Sequence, residues 1–106
     1  MWCGVVVGLT IGWGALFGWL AARNHANYGT WAYDLAIYDQ AFWAIAHGET
    51  FLSVRGLPVW GHHLNLVGVL FAPAYWLGAG ATFLVVVQAL AVGAAAIPLW
   101  FIARLR

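Results

Sequence analysis

Residues 3–22 read CGVVVGLTIGWGALFGWLAA, and residues 81–103 read ATFLVVVQALAVGAAAIPLWFIA. Neither stretch contains a charged side chain. As helices rising 1.5 Å per residue they would cover about 30 and about 34 Å, and the hydrocarbon core of a bilayer is about 30 Å thick. The two stretches therefore predict two membrane-spanning helices, and the chain is expected to be an all-α integral membrane protein.

The composition of the whole chain agrees with this class. Hydrophobic residues make up 65% of the 106 residues and charged residues only 7%, whereas soluble domains contain about 25% charged residues. The net charge of +1 comes without any lysine or basic cluster, so a nucleic-acid partner is not expected. The length has room for a single membrane module, residues 1–106, with the lipid bilayer as its first partner.

Two segments have competing interpretations. Residues 3–22 resemble a cleaved signal peptide in ending on LAA, but their length and the absence of preceding basic residues favour a span. Residues 64–78, LNLVGVLFAPAYWLG, would give only about 22 Å of helix, and Pro73 interrupts them. We expect a half-inserted or interfacial helix there, with a third span as the alternative.

The loop between the two spans, residues 23–80, contains every acid and every histidine of the chain. Within it, a helix is predicted over residues 34–47, because its apolar residues cover one broad arc at 100° per residue and Gly48 is a natural stop. Such an amphipathic helix is expected to lie on the membrane with its apolar face down. Asp34 would fall inside the apolar arc, so it is interpreted as the N-cap of the helix. Asp39 stands in mid-helix on the polar side, with Gln40, Trp43 and His47.

Asp39 is therefore the first candidate for chemistry, as a general base at the membrane boundary. The alternative is a solvated carboxylate on an interfacial helix. His62 and His63 belong to the segment 59–65 that is expected to open the half-inserted helix, where a helix N-terminus would favour an anionic head group. The alternative is a pair of histidines at a wet interface. A zinc site joining one of them to Asp39, His47 or His25 has suitable ligand types but no diagnostic spacing. No cofactor is predicted, and a divalent metal has no specific support.

Three stretches carry a resemblance to a known family: GTWAYDLAIYDQAFWAIAHG, then GHHLNLVGVLFAPAYWL, then VVVQALAVGAAAIPLWFIARLR. In this order they resemble the N-terminal part of an uncharacterised family of predicted bacterial and archaeal multi-pass membrane proteins. That family is similar in layout to the GT-C glycosyltransferases, which use polyprenyl-phosphate-linked sugars. The resemblance implies a plasma-membrane protein in which loop 23–80 is extracytoplasmic and an acid on the first loop helix is essential. Asp39 occupies that position, and Gln40 departs from the Asp-Glu pair of some relatives.

The resemblance implies a function as the N-terminal part of a membrane glycosyltransferase. Asp39 would be the catalytic acid or base, and the substrate would be bound by His63, His62, Arg55, Trp43 and Gln40. The partners would be a polyprenyl-phosphate sugar donor and the remainder of a longer polypeptide, without which the 106 residues are expected to be inactive. The alternative is a non-enzymatic small membrane protein, either a truncated remnant or an assembly subunit.

Overall fold

The computed structural model describes residues 2–64 and 66–105, with the side chains of Ala32 and His62 left out of the description. The chain is mostly helical and divides into two compact units, Met1–Gly29 with Thr82–Arg106 and, between them in sequence, Thr30–Ala81. The elements in chain order are α1 (Trp2–Ala26), α2 (Ala32–His47), β1 (Phe51–Leu52), β2 (Leu57–Pro58), α3 (Val59–His62), α4 (Val67–Trp76), α5 (Ala81–Ala94) and α6 (Ala96–Arg104).

The first unit contains the two long apolar helices. Among the described residues, Trp2–Ala26 and Ala81–Arg104 are long and apolar enough to cross a membrane, with 25 and 24 residues. The second of these is interrupted at Ala95, between α5 and α6. The cause is Pro98, which has no N–H to donate to the carbonyl of Ala94. The sequence prediction of two candidate spans is confirmed.

Glycines bring the two long helices together. A Cβ on Gly93 would lie 2.7 Å from Trp13 Cδ1, and a Cβ on Gly14 would lie 2.7 Å from Leu90 Cδ2. Without those Cβ atoms the backbones can approach closely, as is common between membrane helices. Trp13 in turn stacks on Phe17 with ring centroids 4.0 Å apart.

The second unit is built around α2. Helix α4 packs along one side of it, where Gly68 faces Phe42 and the Trp76 indole N–H donates to the Ala46 carbonyl at 2.6 Å. The hairpin β1–β2 and the short helix α3 cover another side. The core comprises Ile37, Ala41, Phe42, Ala44, Leu52, Val59, Ala72 and Tyr75, all buried.

This packing changes the expected role of the apolar arc on α2. The sequence suggested that this face rests on the membrane, but Ile37, Ala41 and Phe42 are buried inside the unit by protein. The difference arises because α4 and the hairpin fold back onto α2 and remove the arc from both water and lipid. The hairpin itself, paired antiparallel through Phe51 with Pro58 and through Leu52 with Leu57, was not expected from the sequence.

The beginning of α2 also differs from the prediction. The helix starts at Ala32, its N-cap is Trp31, and no side-chain hydrogen bond caps it. Asp34 therefore lies in the first turn, and its assignment as the N-cap is wrong. A carboxylate in the first turn still interacts favourably with the positive end of the helix dipole. At the other end, Gly48 adopts a left-handed conformation with φ of 73° and its N–H bonds the Ala44 carbonyl, which is a common way to end a helix.

The segment 64–78 contains a shorter helix than expected. Helix α4 has 10 residues, Val67–Trp76, with Pro73 inside it. It would be about 15 Å long, half the thickness of the hydrocarbon core. Helix α3 ends at His62 and His63 is extended, so His63 does not stand at the start of α4. The prediction that the histidine pair opens a long half-inserted helix therefore does not hold for the backbone.

Candidate functional site

Asp39 is held by a partner from another helix. Its Oδ1 accepts a hydrogen bond of 2.8 Å from the hydroxyl of Tyr75 on α4, in a part-buried setting. The Tyr75 side chain is only 3% exposed, and the Asp39 side chain is of intermediate exposure. Gly80 passes close by, since a Cβ there would lie 3.9 Å from the same oxygen. The carboxylate is thus fixed in position but still reachable.

The environment keeps Tyr75 protonated. Burial, together with the hydrogen bond to Asp39 and its negative charge, raises the pKa of the Tyr75 phenol well above its usual value. The neutral phenol therefore acts as a hydrogen-bond donor to the carboxylate at every physiological pH. Bonds between a neutral donor and an ionised acceptor are among the stronger ones in proteins. Tyr75 was not among the residues predicted from the sequence, although a hydroxyl within an otherwise apolar helix usually requires a partner.

Gln40, predicted to bind substrate, has partners inside the unit. Its Nε2 donates to the Ser53 hydroxyl at 2.6 Å. Its Oε1 accepts from the Val54 backbone N–H at 3.0 Å. The amide thereby fixes the turn of the β1–β2 hairpin onto α2.

Arg55 comes from the same turn but lies toward the start of α2. Its guanidinium donates to the Tyr33 hydroxyl at 2.6 Å and lies 5.9 Å from the centroid of the Tyr33 ring. Tyr33 precedes Asp39 by six residues, about 9 Å along the helix axis. The positive charge of Arg55 is therefore used at the beginning of α2, away from the carboxylate.

Trp43 and His47 continue the row that Asp39 begins. The three residues are spaced by four along α2, so they lie along one ridge of the helix. The imidazole of His47 stacks on the Trp43 indole, with centroids 4.2 Å apart and an interplanar angle of 19°. His47 Nδ1 lies 2.8 Å from the Trp43 carbonyl oxygen. Because a carbonyl only accepts, Nδ1 carries the proton, and Nε2 of the neutral ring is the acceptor.

The ridge Asp39–Trp43–His47 is open to solvent. The Trp43 side chain is 46% exposed, and His47 is exposed. The ridge offers a carboxylate, an aromatic surface and an imidazole along about 12 Å of helix. This combination suits a polar ligand with hydroxyl groups and an apolar ring face.

His63 lies on a different side of α2. It borders a water-sized cavity with Ile37 and Ala41, and each of these two residues is about 200° around the helix from Asp39. The structure therefore does not bring His63 to the carboxylate, and the His62 side chain lies outside the described residues. Among the residues that the structure describes, no group of three or more His, Cys, Asp or Glu side chains could hold a metal ion.

A cavity in the first unit has a different character. It has a volume of about 390 Å³ and is bordered by residues of α1, α5 and α6, including Trp13 and Trp100. Among the described residues, no titratable side chain borders it. Its Thr10 hydroxyl is buried without a hydrogen-bond partner. Apart from this hydroxyl the described lining is mostly apolar, which suits an apolar occupant.

The two candidate spans and the helical unit between them in sequence define a helical membrane protein. Residues 24–106 match the family described as Predicted membrane protein (DUF2079), and the chain belongs to this family. The match contains the whole of α2 and α4 and therefore both Asp39 and Tyr75. No curated protein and no solved structure matches the chain.

Proposed function

We propose that the chain is the N-terminal part of a membrane glycosyltransferase of the GT-C type, with Asp39 as its acid or base. The observation that carries the proposal is that this carboxylate is both held in position and partly exposed. One oxygen is held by the buried Tyr75 hydroxyl, and the residue remains partly exposed on the ridge with Trp43. A fixed and accessible carboxylate is what general base catalysis requires.

The reaction would be transfer of a sugar from a polyprenyl phosphate to a hydroxyl group. The acceptor oxygen forms a bond to the anomeric carbon, the bond from that carbon to the phosphate oxygen breaks, and the phosphate leaves with the electron pair. Asp39 would take the acceptor proton on Oδ2, because Oδ1 already accepts from Tyr75. The exposed Trp43 ring would stack on a sugar.

The other predicted substrate residues receive a smaller role. Gln40 and Arg55 hold the hairpin turn and the start of α2 through their contacts. His63 lies on another side of the helix from Asp39, so we do not assign it to the same substrate, and the role of His62 stays a prediction. In this proposal the bilayer is the plasma membrane, the spans are joined by an extracytoplasmic segment 23–80, and the remaining polypeptide supplies the donor pocket.

The test is a sugar-transfer assay on the full-length protein in membranes, with Asp39→Asn as the variant. Its amide keeps the shape of the side chain and an acceptor for Tyr75 but is a poor base. The rate should fall at least about 100-fold, within the usual contribution of a general base. Glu49→Gln is the matched control, since Glu49 is an exposed acid beyond the end of α2. An active Asp39→Asn enzyme would contradict the assignment.

One observation favours a second candidate, a non-enzymatic membrane module. The described hydrogen bonds of Asp39 and Gln40 are all made within the second unit, so both residues have a structural use. In that case Asp39→Asn and Tyr75→Phe would change only the stability of the unit. Purified protein would then transfer no sugar from any polyprenyl-phosphate donor, in the wild type as in the variants.

A further inference from the structure

One side of α4 is apolar and uncovered. Leu70 is 77% exposed and Leu77, just after the helix, is 90% exposed. Leu70 is two residues from both Gly68 and Ala72, which are buried against the rest of the unit, so it points in the opposite direction. We call the uncovered side the outer α4 face, and it comprises Leu66, Val69, Leu70 and Leu77.

The charges of the second unit are elsewhere. Its acids and Arg55 all precede residue 64, and residues 64–81 contain no charged side chain and no histidine. Adjacent exposed aliphatic side chains on a helix without charges are unusual on a water-facing surface. Lipid suits the outer α4 face better than a protein partner does, because this face offers no polar group that could fix the register of a protein interface.

Short connections at both ends keep the second unit near a membrane. Trp76 at the end of α4 is five residues before Ala81, the first residue of a candidate span. Five steps of chain cover at most about 18 Å. At the other end, Ala26 closes the other candidate span and Ala32 begins α2, a distance of at most about 21 Å along the chain. With the two candidate spans in a bilayer, both ends of the unit are attached within about 21 Å of a span.

We infer that the outer α4 face contacts the lipid bilayer and that α4 lies along its surface. The helix does not enter end-on, because its other side is packed against α2, and α2 carries the Asp39 carboxylate. Inserting α4 across the core would place that charge in hydrocarbon, which is strongly unfavourable. This inference holds for an enzyme and for a non-enzymatic module alike.

The orientation has a consequence for the site. Tyr75 reaches Asp39 from the side of α4 that faces α2. Asp39 would then lie about 10 Å, one helix diameter, from the lipid-contacting face. The headgroup region of a bilayer is about 5–7 Å thick on each side. The open ridge on α2 therefore lies at the level of the headgroups or just above them.

Site-directed spin labelling tests the inference. In a background with Cys3→Ser, single variants Leu70→Cys and Glu49→Cys receive a nitroxide, and the protein is placed in phosphatidylcholine nanodiscs. Power saturation is measured with oxygen, which concentrates in lipid, and with a water-soluble nickel chelate. The ratio of oxygen accessibility to nickel accessibility should be severalfold higher for the label at position 70 than for the label at position 49.

Two results would overturn the inference. Equal nickel accessibility at positions 70 and 49 would show that the outer α4 face is in water. An immobilised label at position 70 that neither reagent reaches would show that protein, not lipid, covers it. Val69→Cys provides a second position on the same face if the label at position 70 disturbs the fold.

Discussion

Raising the pH above 10 should destabilise the second unit through Tyr75. The folded state holds the phenol of Tyr75 protonated, because burial and the contact with Asp39 raise its pKa well above the usual value. The unfolded chain releases that proton near pH 10. The stabilisation is therefore complete below pH 10 and is lost as the pH rises. Each further pH unit costs about 1.4 kcal/mol until the folded pKa is reached.

The measurement is the free energy of unfolding in detergent micelles at pH 8, 10 and 11. Relative to pH 8, Tyr75 should account for a loss of about 0.4 kcal/mol at pH 10 and about 1.4 kcal/mol at pH 11. Tyr75→Phe should lower stability at pH 8 by about 1.5–3 kcal/mol, since a hydrogen bond to a charged acceptor is lost. The same variant should lose less stability than the wild type when the pH is raised.

A control separates Tyr75 from the other tyrosines. Tyr28 is 96% exposed, so Tyr28→Phe should leave both the stability at pH 8 and its change toward pH 11 as in the wild type. If Tyr75→Phe shows the same alkaline loss as the wild type, the phenol of Tyr75 is not buried against Asp39, and the described geometry of the site is wrong.

Two further changes test the packing of α2. Gly68→Ala should lower the free energy of unfolding by about 1–3 kcal/mol in a thermal unfolding assay, because the new Cβ would lie 2.7 Å from Phe42 Cδ1. Gly12→Ala, with open space around it, is the control and should cost nothing in that assay. Gln40→Leu should speed hydrogen exchange at the Val54 amide at least about fivefold, since the loss of one hydrogen bond is worth about 1 kcal/mol. An unchanged exchange rate at Val54 would show that Gln40 does not hold the hairpin.

The two candidate membrane-spanning helices could be predicted from the sequence, and the covering of α2 could not. A run of twenty apolar residues has few alternatives to a membrane-spanning helix. Residues 3–22 and 81–103 therefore each predict such a helix without information from the rest of the chain. The apolar arc of α2 was equally visible, but periodicity reports only that a face avoids water. Whether lipid or α4 covers it depends on contacts such as that of Gly68 with Phe42, 26 positions apart, which no local window contains.

The candidate site also depends on a contact between residues far apart in the sequence. Asp39 was found because it stands on the polar side of a predicted helix, whereas Tyr75 is 36 residues away and could not be paired with it. Asp34 was assigned as a cap because its position in the apolar arc appeared unfavourable. In the structure α2 begins two residues earlier, so Asp34 falls in the first turn without capping it.

The contact between Asp39 and Tyr75 also bears on the choice between an enzyme and a structural module. Joining α2 to α4 does not in itself require a carboxylate, because the described unit already packs Phe42 against Phe71 and Tyr75. Replacing a buried polar pair by apolar groups of similar shape is often neutral or stabilising. A purely structural contact would thus be served as well by two apolar side chains. Asp39 is held through one oxygen and stays partly exposed, which favours a chemical use. The variant Asp39→Asn separates that use from stability, because its amide oxygen still accepts from Tyr75.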